Sequence, residues 1–122
     1  MIPFYKQNIG AVGENAAAKY LKKKKHKIIK RNFKNYYGEV DIITQDREYT
    51  VFVEVKTRTS AEYGEASRAV NLRKQQKIML VAQTYLNNPE ETNIRFDIVE
   101  VYLNKENLKL QKINHIENAF GF

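Results

Sequence analysis

The sequence predicts an α/β protein in which one helix and three strands are followed by a second helix and two further strands. Two segments repeat apolar residues at three- and four-residue spacing, which is typical of amphipathic helices. The other apolar segments are typical of strands with a buried face. The chain has 122 residues, of which 43% are hydrophobic and 29% charged. We therefore expect one domain, spanning residues 1–122, with a substantial core.

The first predicted helix begins near Asn8, after an irregular lead-in over residues 1–7. Its apolar face repeats at helical spacing and comprises Ile9, Val12, Ala16 and Tyr20. From position alone, Glu14 is expected to be an exposed acid in the first turns of this helix, favoured by the helix dipole. A lysine run is expected at the end of the helix, where cations are stabilising. Because the run exceeds what capping needs, it also indicates phosphate contacts; its members are Lys22, Lys23, Lys24 and Lys25.

Residues 27–34 predict the first strand, with Ile29 and Phe33 on one face. A turn over residues 35–38 contains Tyr36 and Tyr37. These tyrosines are expected either to pack on the turn or to present their rings to a ligand, and packing is the commoner arrangement.

The second predicted helix runs from Asn71, a suitable N-cap, to Leu86. Its buried side repeats at helical spacing and comprises Ile78, Val81, Ala82 and Tyr85. The early turns also carry cations, which the helix dipole does not favour there; they are Arg73, Lys74 and Lys77. This placement indicates a nearby anion.

A polar loop is predicted over residues 57–64, with Arg58 able to hold a phosphate through its forked donors. Two strands are predicted at the other end of the chain, over residues 94–102 and 108–113. The tail over residues 115–122 contains apolar side chains and is expected to dock on the body of the protein.

A central hairpin is predicted between Gly38 and Lys56, with its turn at Arg47 and Glu48. In the second strand of this hairpin, Glu54 and Lys56 lie on the same face because side chains alternate. A hairpin symmetric about its turn pairs position 41 with position 54.

Directly opposed residues have Cβ atoms only about 4.5–5.5 Å apart, so Asp41 and Glu54 would repel each other without a cation between them. A divalent metal with oxygen ligands is the better candidate for that cation, with Lys56 as a further positive charge. The alternative is a solvated strand edge, which is how most such charged pairs behave. The position of Asp41 favours a site.

The net charge of +7 is unevenly distributed. Residues 1–37 hold ten basic residues against one acidic residue, whereas residues 38–122 hold eleven basic and thirteen acidic residues. This asymmetry favours a polyanionic partner, although a lysine run can also be a merely soluble surface.

The composition also excludes several classes of site and location. There is no cysteine, which excludes disulfides, a thiol nucleophile and thiolate zinc sites. His26 and His115 are expected to be surface residues, so a histidine-centred mechanism is not expected. The N-terminus lacks the features of a signal peptide, and no apolar run has the length of a membrane span, so a cytoplasmic location is expected.

Five motifs, in order along the chain, resemble the pattern of the bacterial YraN family. They are Gly13-Glu14, Gly38-Glu39-Val40-Asp41, VFVEVKTR over residues 51–58, Arg95-Phe96-Asp97 and Asn118-Ala119-Phe120. The core motif of that family is similar to that of the PD-(D/E)-x-K nucleases, which include Holliday-junction resolvases and restriction endonucleases. One departure is Val40, which stands where the motif's name has proline.

The resemblance implies a restriction-endonuclease-like α/β core, with a mixed β-sheet flanked by α-helices. It implies that Asp41, Glu54 and the Val55 carbonyl are metal ligands, with Mg²⁺ or Mn²⁺ as the metal. It further implies that Lys56 orients or activates the attacking water, and that Glu14 completes the catalytic and metal-binding set.

The expected function is therefore a metal-dependent endonuclease that hydrolyses phosphodiester bonds, with branched or single-stranded DNA as the candidate substrate. DNA is favoured over RNA as the partner, and a homodimer is left open. The alternative is a nucleic-acid-binding protein that keeps the nuclease-like fold without cleaving.

Overall fold

The described parts of the chain form two helices and five strands in the predicted order. The computed structural model describes the backbone of residues 4–59 and 70–122, and side chains from residue 9 onward within those ranges. The elements are α1 (Phe4–Lys23), β1 (Lys27–Asn35), β2 (Gly38–Asp46), β3 (Tyr49–Thr59), α2 (Leu72–Tyr85), β4 (Asn93–Leu103) and β5 (Leu110–Phe120), with a short 3-10 helix at Pro89–Glu91. Residues 60–64 of the predicted polar loop lie outside the described residues, and its beginning at residues 57–59 belongs to β3.

The five strands form one mixed sheet with the spatial order β1-β2-β3-β4-β5. Neighbouring strands are antiparallel except β3 and β4, which are parallel and in continuous register from Tyr49↔Asn93 to Thr59↔Leu103. Parallel neighbours need a crossover connection, and α2 lies within this one. The predicted mixed sheet flanked by helices is confirmed.

Each face of the sheet packs against one helix. Alternate residues of β3 divide between the two faces, with Val53 towards α1 and Phe52 towards α2. The α1 layer is buried around Ala17, Leu21, Val51, Val53, Val99 and Val101. The α2 layer is buried around Ile43, Phe52, Ile78, Val81, Ala82 and Phe96. The strands β2, β3 and β4 each contribute side chains to both layers.

Helix α1 begins at Phe4, within the segment predicted to be irregular, and ends at Lys23, within the predicted lysine run. Its end has the hydrogen bonds of a Schellman motif: the His26 N–H donates to the Leu21 carbonyl and the Lys25 N–H to the Lys22 carbonyl. Lys25 has a φ of 72°, which lies in the left-handed region that this motif uses. In the described part of the chain, neither helix is long and apolar enough to cross a membrane.

Two bulges explain the strand predictions that were wrong. In β1 the register shifts between Ile28 and Lys30, so Ile29 lies outside the regular alternation and is exposed instead of sharing a buried face with Phe33. In β5 the register shifts between the pairs Phe96↔Phe120 and Ile98↔Ile116. That bulge interrupts the alternation of apolar residues, so residues 115–120 were not predicted as part of a strand; the expected docking of this segment is confirmed, because Phe120 stacks on Phe96.

A close approach of α1 to β3 occurs at Gly13. A Cβ atom at this position would lie 1.9 Å from the Thr57 Oγ1 atom and 2.7 Å from its Cγ2 atom. At Gly10, one turn earlier in the same helix, a Cβ atom would have no neighbour within 4 Å. The small residue at Gly13 therefore determines how closely α1 packs on the sheet.

We predict opposite effects for the same substitution at these two glycines. Gly13→Ala should lower the free energy of unfolding by about 1–3 kcal/mol, because the added methyl group displaces β3 or α1. Gly10→Ala should raise it by up to about 1 kcal/mol, because alanine is the better helix former. Urea unfolding of both variants measures the difference, and a stabilised Gly13→Ala variant would contradict the close packing.

Candidate active site

The β2–β3 hairpin has the predicted register. Its pairs run from Ile42↔Val53 to Asp46↔Tyr49, and the turn is at Arg47 and Glu48, with Arg47 at a φ of 53°. Asp41 and Glu54 each lie one position beyond the Ile42↔Val53 pair, and Glu54 follows Phe52 on the face that carries α2. The hairpin therefore brings together the two acidic residues that the sequence predicts to be neighbours.

The carboxyl groups of Asp41 and Glu54 form a pair in which Glu54 is buried and Asp41 is half-buried. The Asp41 Oδ2 atom accepts a hydrogen bond of 2.7 Å from the Val55 N–H, which orients this carboxyl along β3. The Glu54 residue is only 3% exposed. The pKa of Asp41 is raised to about 7. Burial is the largest cause, followed by the negative charge of Glu54 and a hydrogen bond with the Glu54 carboxyl. The pair therefore holds more negative charge than its surroundings favour, unless a proton or a cation is present.

Lys74, from the first turn of α2, supplies a cation to this pair. Its Nζ atom forms an ion pair with Glu54 Oε2, and its backbone N–H donates a hydrogen bond of 2.9 Å to the Oδ1 atom of the N-cap Asn71. Burial lowers the pKa of Lys74, but the hydrogen bond and charge of Glu54 outweigh that effect and raise it overall. The ion pair with Glu54 therefore explains why Lys74 lies in the first turn of α2, where the helix dipole does not favour a cation.

Lys56 and Arg58 continue the face of β3 that carries Glu54. The side chains alternate along the strand, and both residues are half-buried. Burial lowers the pKa of Lys56, and the positive charges of Arg58 and Lys74 lower it further. Lys56 is therefore easier to deprotonate than an exposed lysine and lies beside the carboxyl pair.

Glu14 contacts a different partner, Arg31 of β1. Glu14 lies in the middle of α1, not in the first turns, where its Oε1 atom accepts a hydrogen bond of 3.2 Å from Arg31 Nη2. The same Nη2 atom donates to Asn15 Oδ1 at 2.7 Å. Among the described residues, no group of three acidic or histidine side chains that includes Glu14 has ligand atoms within 4.8 Å of one another.

The predicted basic residues divide between separate parts of the surface. Arg73, Lys74 and Lys77 line a cleft between α2 and the β1–β2 turn, together with Lys34, Tyr36, Tyr37 and Glu39. The lysines that end α1 line other depressions: Lys24 and Lys25 one, Lys22 and Lys23 another. The α2 group therefore includes Lys74, which lines the cleft and also contacts Glu54.

A second polar network lies on the α1 face of the sheet, at Arg95 and Asp97 of β4. The Nε and Nη2 atoms of Arg95 donate to the two oxygens of Asp97 at 2.9 and 3.0 Å, and its Nη1 atom lies 3.0 Å from Asp46 Oδ2. The Asn118 N–H, at the β5 bulge, also donates to Asp97. Burial raises the pKa of Asp97, but the hydrogen bonds from His115 and Arg95 outweigh it and lower the pKa overall.

Both histidines belong to this network, which corrects the prediction that they are surface residues. His26 is 5% exposed, with its Nδ1 atom 2.8 Å from Thr44 Oγ1. The Nε2 atom of His115 lies 2.7 Å from Asp97 Oδ2. The spacing of Arg95 and Asp97, two residues apart in one strand, is the sequence signal that places them on one face.

The network also contains a group with the spacing of a metal site. Ligand atoms of Asp97, His115 and Glu117 all lie within 4.8 Å of one another. However, the oxygens of Asp97 already accept hydrogen bonds from Arg95 and Asn118 and contact His115, so the guanidinium group supplies the positive charge there. We therefore interpret this group as a structural ion-pair network.

Comparisons with known proteins identify the family. The model of the uncharacterised protein family UPF0102 matches residues 13–101. A UPF0102 protein of Caldanaerobacter subterraneus is 53% identical over 117 residues, covering 94% of this chain and 96% of the relative. UPF0102 proteins of Alkaliphilus oremlandii and Acetivibrio thermocellus are 46% and 42% identical, covering 93% and 94% of this chain and 98% and 92% of the relatives. The chain belongs to the UPF0102 family, which is the YraN family that its motifs resemble.

We predict that Arg95 is a major contributor to stability. Arg95→Met should lower the free energy of unfolding at neutral pH by about 3–5 kcal/mol, because it leaves two buried carboxylates without their counter-charge. The pKa values of Asp46 and Asp97 are lowered in the folded protein, so their ionised carboxylates stabilise the fold above the ordinary pKa of 3.8. This stabilisation is lost as the pH falls through the lowered pKa values. The effect of Arg95→Met should therefore shrink under acidic conditions.

Urea unfolding at neutral and at acidic pH tests this expectation. Arg47→Met is the matched control, because Arg47 also pairs with Asp46 but its side chain is 73% exposed. The control should change the free energy of unfolding by less than about 0.5 kcal/mol. Equal effects of the two substitutions would contradict the role given to Arg95.

We also predict that the pKa of Asp41 responds to its two charged neighbours in opposite directions. Glu54→Gln should lower it from about 7, because the negative charge and the carboxyl hydrogen bond of Glu54 raise it. Lys74→Met should raise it, because the ammonium charge lowers it. Carbon-detected NMR of the Asp41 carboxyl measures both shifts, with the exposed Glu39→Gln as control. An ordinary pKa for Asp41, unmoved by Glu54→Gln, would contradict the paired geometry.

Proposed function

We propose that this protein is a metal-dependent endonuclease that hydrolyses phosphodiester bonds in DNA. The observation that carries the proposal is the Asp41–Glu54 carboxyl pair, in which Glu54 is buried and shares its face of β3 with Lys56. The resemblance to the PD-(D/E)-x-K nucleases assigns catalytic roles to the same residues. The mixed sheet with a helix on each face is compatible with the restriction-endonuclease-like core that this resemblance implies.

The residues of the pair fit Mg²⁺ or Mn²⁺. Two carboxyl groups in contact provide the hard oxygen ligands that these ions prefer. The raised pKa of Asp41 reflects unbalanced negative charge, and the ammonium group of Lys74 already occupies the position of a counter-cation at Glu54. We propose Asp41, Glu54 and the Val55 carbonyl as ligands. Glu14 would join them only if its hydrogen bond with Arg31 opened.

Phosphodiester hydrolysis requires stabilisation of charge on the phosphate oxygens and a nucleophilic water. A divalent ion, when bound, supplies Lewis-acid stabilisation of that charge and lowers the pKa of water. Lys56 has a lowered pKa and lies beside the pair, so it can orient the water or accept its proton. Arg58 and a displaced Lys74 can donate hydrogen bonds to the phosphate.

The charges around the site support DNA as the partner. Arg73, Lys74 and Lys77 line one cleft, and Lys74 connects that cleft to Glu54. Basic residues beside a carboxyl pair can bind the phosphates that flank the bond to be cleaved. The lysines that end α1 lie at other depressions and would serve as additional phosphate contacts.

The alternative is a nucleic-acid-binding protein that does not cleave. The ion pair of Lys74 with Glu54 favours it, because that ammonium group satisfies a proposed ligand without a metal. The hydrogen bond from Arg31 to Glu14 also favours the non-cleaving binder, because it occupies another proposed metal ligand. A binder of this kind should show a steep salt dependence and no metal requirement.

We predict that Asp41→Asn and Glu54→Gln abolish Mn²⁺ binding and DNA cleavage without abolishing DNA binding. The loss of cleavage rate should exceed about 100-fold, because loss of even an outer partner of a metal ligand costs about 10–100-fold. Calorimetry with Mn²⁺ and cleavage of a branched DNA, measured on the same samples, give the two readouts.

Glu48→Gln is the matched control, because Glu48 is an exposed carboxylate in the turn of the same hairpin. It should retain metal binding and cleavage. DNA binding by the wild type without Mn²⁺ binding or cleavage would refute the endonuclease and support the alternative.

A further inference from the structure

Tyr36 and Tyr37 form an exposed aromatic pair at the β1–β2 turn. The Tyr36 residue is 95% exposed and Tyr37 is 42% exposed, so the expected packing of the pair onto the turn is wrong. Their rings contact each other edge-to-face, with centroids 5.3 Å apart and planes at 86°. One ring therefore supports the other while most of Tyr36 faces solvent.

The turn that carries the tyrosines is held against α2. The Tyr37 N–H donates a hydrogen bond of 3.0 Å to Asn35 Oδ1. Gly38 has a φ of 154°, and a Cβ atom there would lie 3.7 Å from Lys77 Cβ and from Val81 Cγ2. Because the backbone next to the rings packs under α2, the rings are presented from a supported position. Rigid presentation lowers the entropy lost when a ligand stacks on them.

The surroundings of the pair are strongly basic. Among the described residues, the cleft beside the tyrosines is lined by Lys34, Arg73, Lys74 and Lys77 and by one acidic residue, Glu39. Aromatic rings combined with a basic groove are the features by which proteins bind single-stranded nucleic acid, since bases stack on the rings and phosphates follow the cations. In a duplex the base faces are already stacked on one another, so a duplex cannot offer them to Tyr36.

We propose that Tyr36 and Tyr37 are a stacking platform for unpaired bases, which makes the substrate a DNA with a single-stranded segment. This proposal rests on the proposed function in taking DNA as the ligand. Lys74 lines the cleft and also contacts Glu54, so an unpaired strand on the platform would enter beside the carboxyl pair. The platform therefore selects single-stranded segments, such as flaps or unpaired nucleotides at a junction, over continuous duplex.

The sequence allows a direct spectroscopic test, because the chain contains no tryptophan. Tyr36→Trp places a unique fluorophore on the platform. Phe122→Trp is the matched control, because Phe122 is also an exposed aromatic residue, at 72%, and lines a different depression. Both variants are titrated in a metal chelator with a thymidine oligonucleotide of about 12 nucleotides and with a duplex of the same length.

Stacking predicts that the thymidine oligonucleotide quenches the fluorescence of the Tyr36→Trp variant and leaves that of the Phe122→Trp variant unchanged. In the same buffer, Tyr36→Ala should weaken binding of the single strand about 5- to 150-fold, because loss of one stacked base costs about 1–3 kcal/mol. Tyr36→Phe should keep the wild-type affinity, since the ring is retained. Binding of the duplex should be unaffected by either substitution.

Unchanged fluorescence of the Tyr36→Trp variant, or equal loss of single-strand and duplex binding in Tyr36→Ala, would overturn the platform. Absence of binding to either DNA would overturn it as well. Because a chelator prevents metal-dependent cleavage, binding measured in its presence tests the platform independently of the proposed endonuclease activity. Quenching by the single strand in a protein that never cleaves would support the platform and refute the endonuclease. Metal-dependent cleavage of a flap at the same rate in wild type and Tyr36→Ala would support the endonuclease and refute the platform.

Discussion

The antiparallel pairing of β2 with β3 determines both the core and the candidate site. Ile42 and Val53 pair and face α1, whereas Ile43 and Phe52 pair and face α2. A slip of one residue in either strand would turn its apolar side chains towards the wrong face. A slip of β3 would also turn the Glu54 carboxyl towards the apolar layer under α1. The hydrophobic layers therefore stabilise the register that brings two carboxyl groups together.

The two faces of the sheet balance buried charge in different ways. On the α1 face, one guanidinium group lies between Asp46 and Asp97 and lowers the pKa of both. On the α2 face, Glu54 contacts the Asp41 carboxyl, and the pKa of Asp41 is raised to about 7. The first arrangement is balanced within the protein and stabilises it. The second has room for added positive charge, which is the property expected of a site that binds a cation.

Local patterns predicted those parts of the fold that depend on neighbouring residues. The register of the central hairpin follows from alternation and turn position, and the N-cap Asn71 with the buried face of α2 follows from helical spacing. Predictions failed where the backbone departs from regular alternation, at the bulges of β1 and β5. The histidines were misjudged because His26 follows a lysine run and is buried only by residues distant in the chain.

The sequence by itself determined the order of the elements, the proximity of Asp41 and Glu54, and membership of the YraN family. These properties depend on periodicity, on one tight turn and on short motifs, all of which are local in the chain. Only the tertiary structure decided that Lys74 contacts Glu54, that Glu14 is held by Arg31, and that the Arg95 network buries both histidines. These contacts join residues of different elements. They depend on where each helix lies on the sheet, and packing of the whole core sets that position.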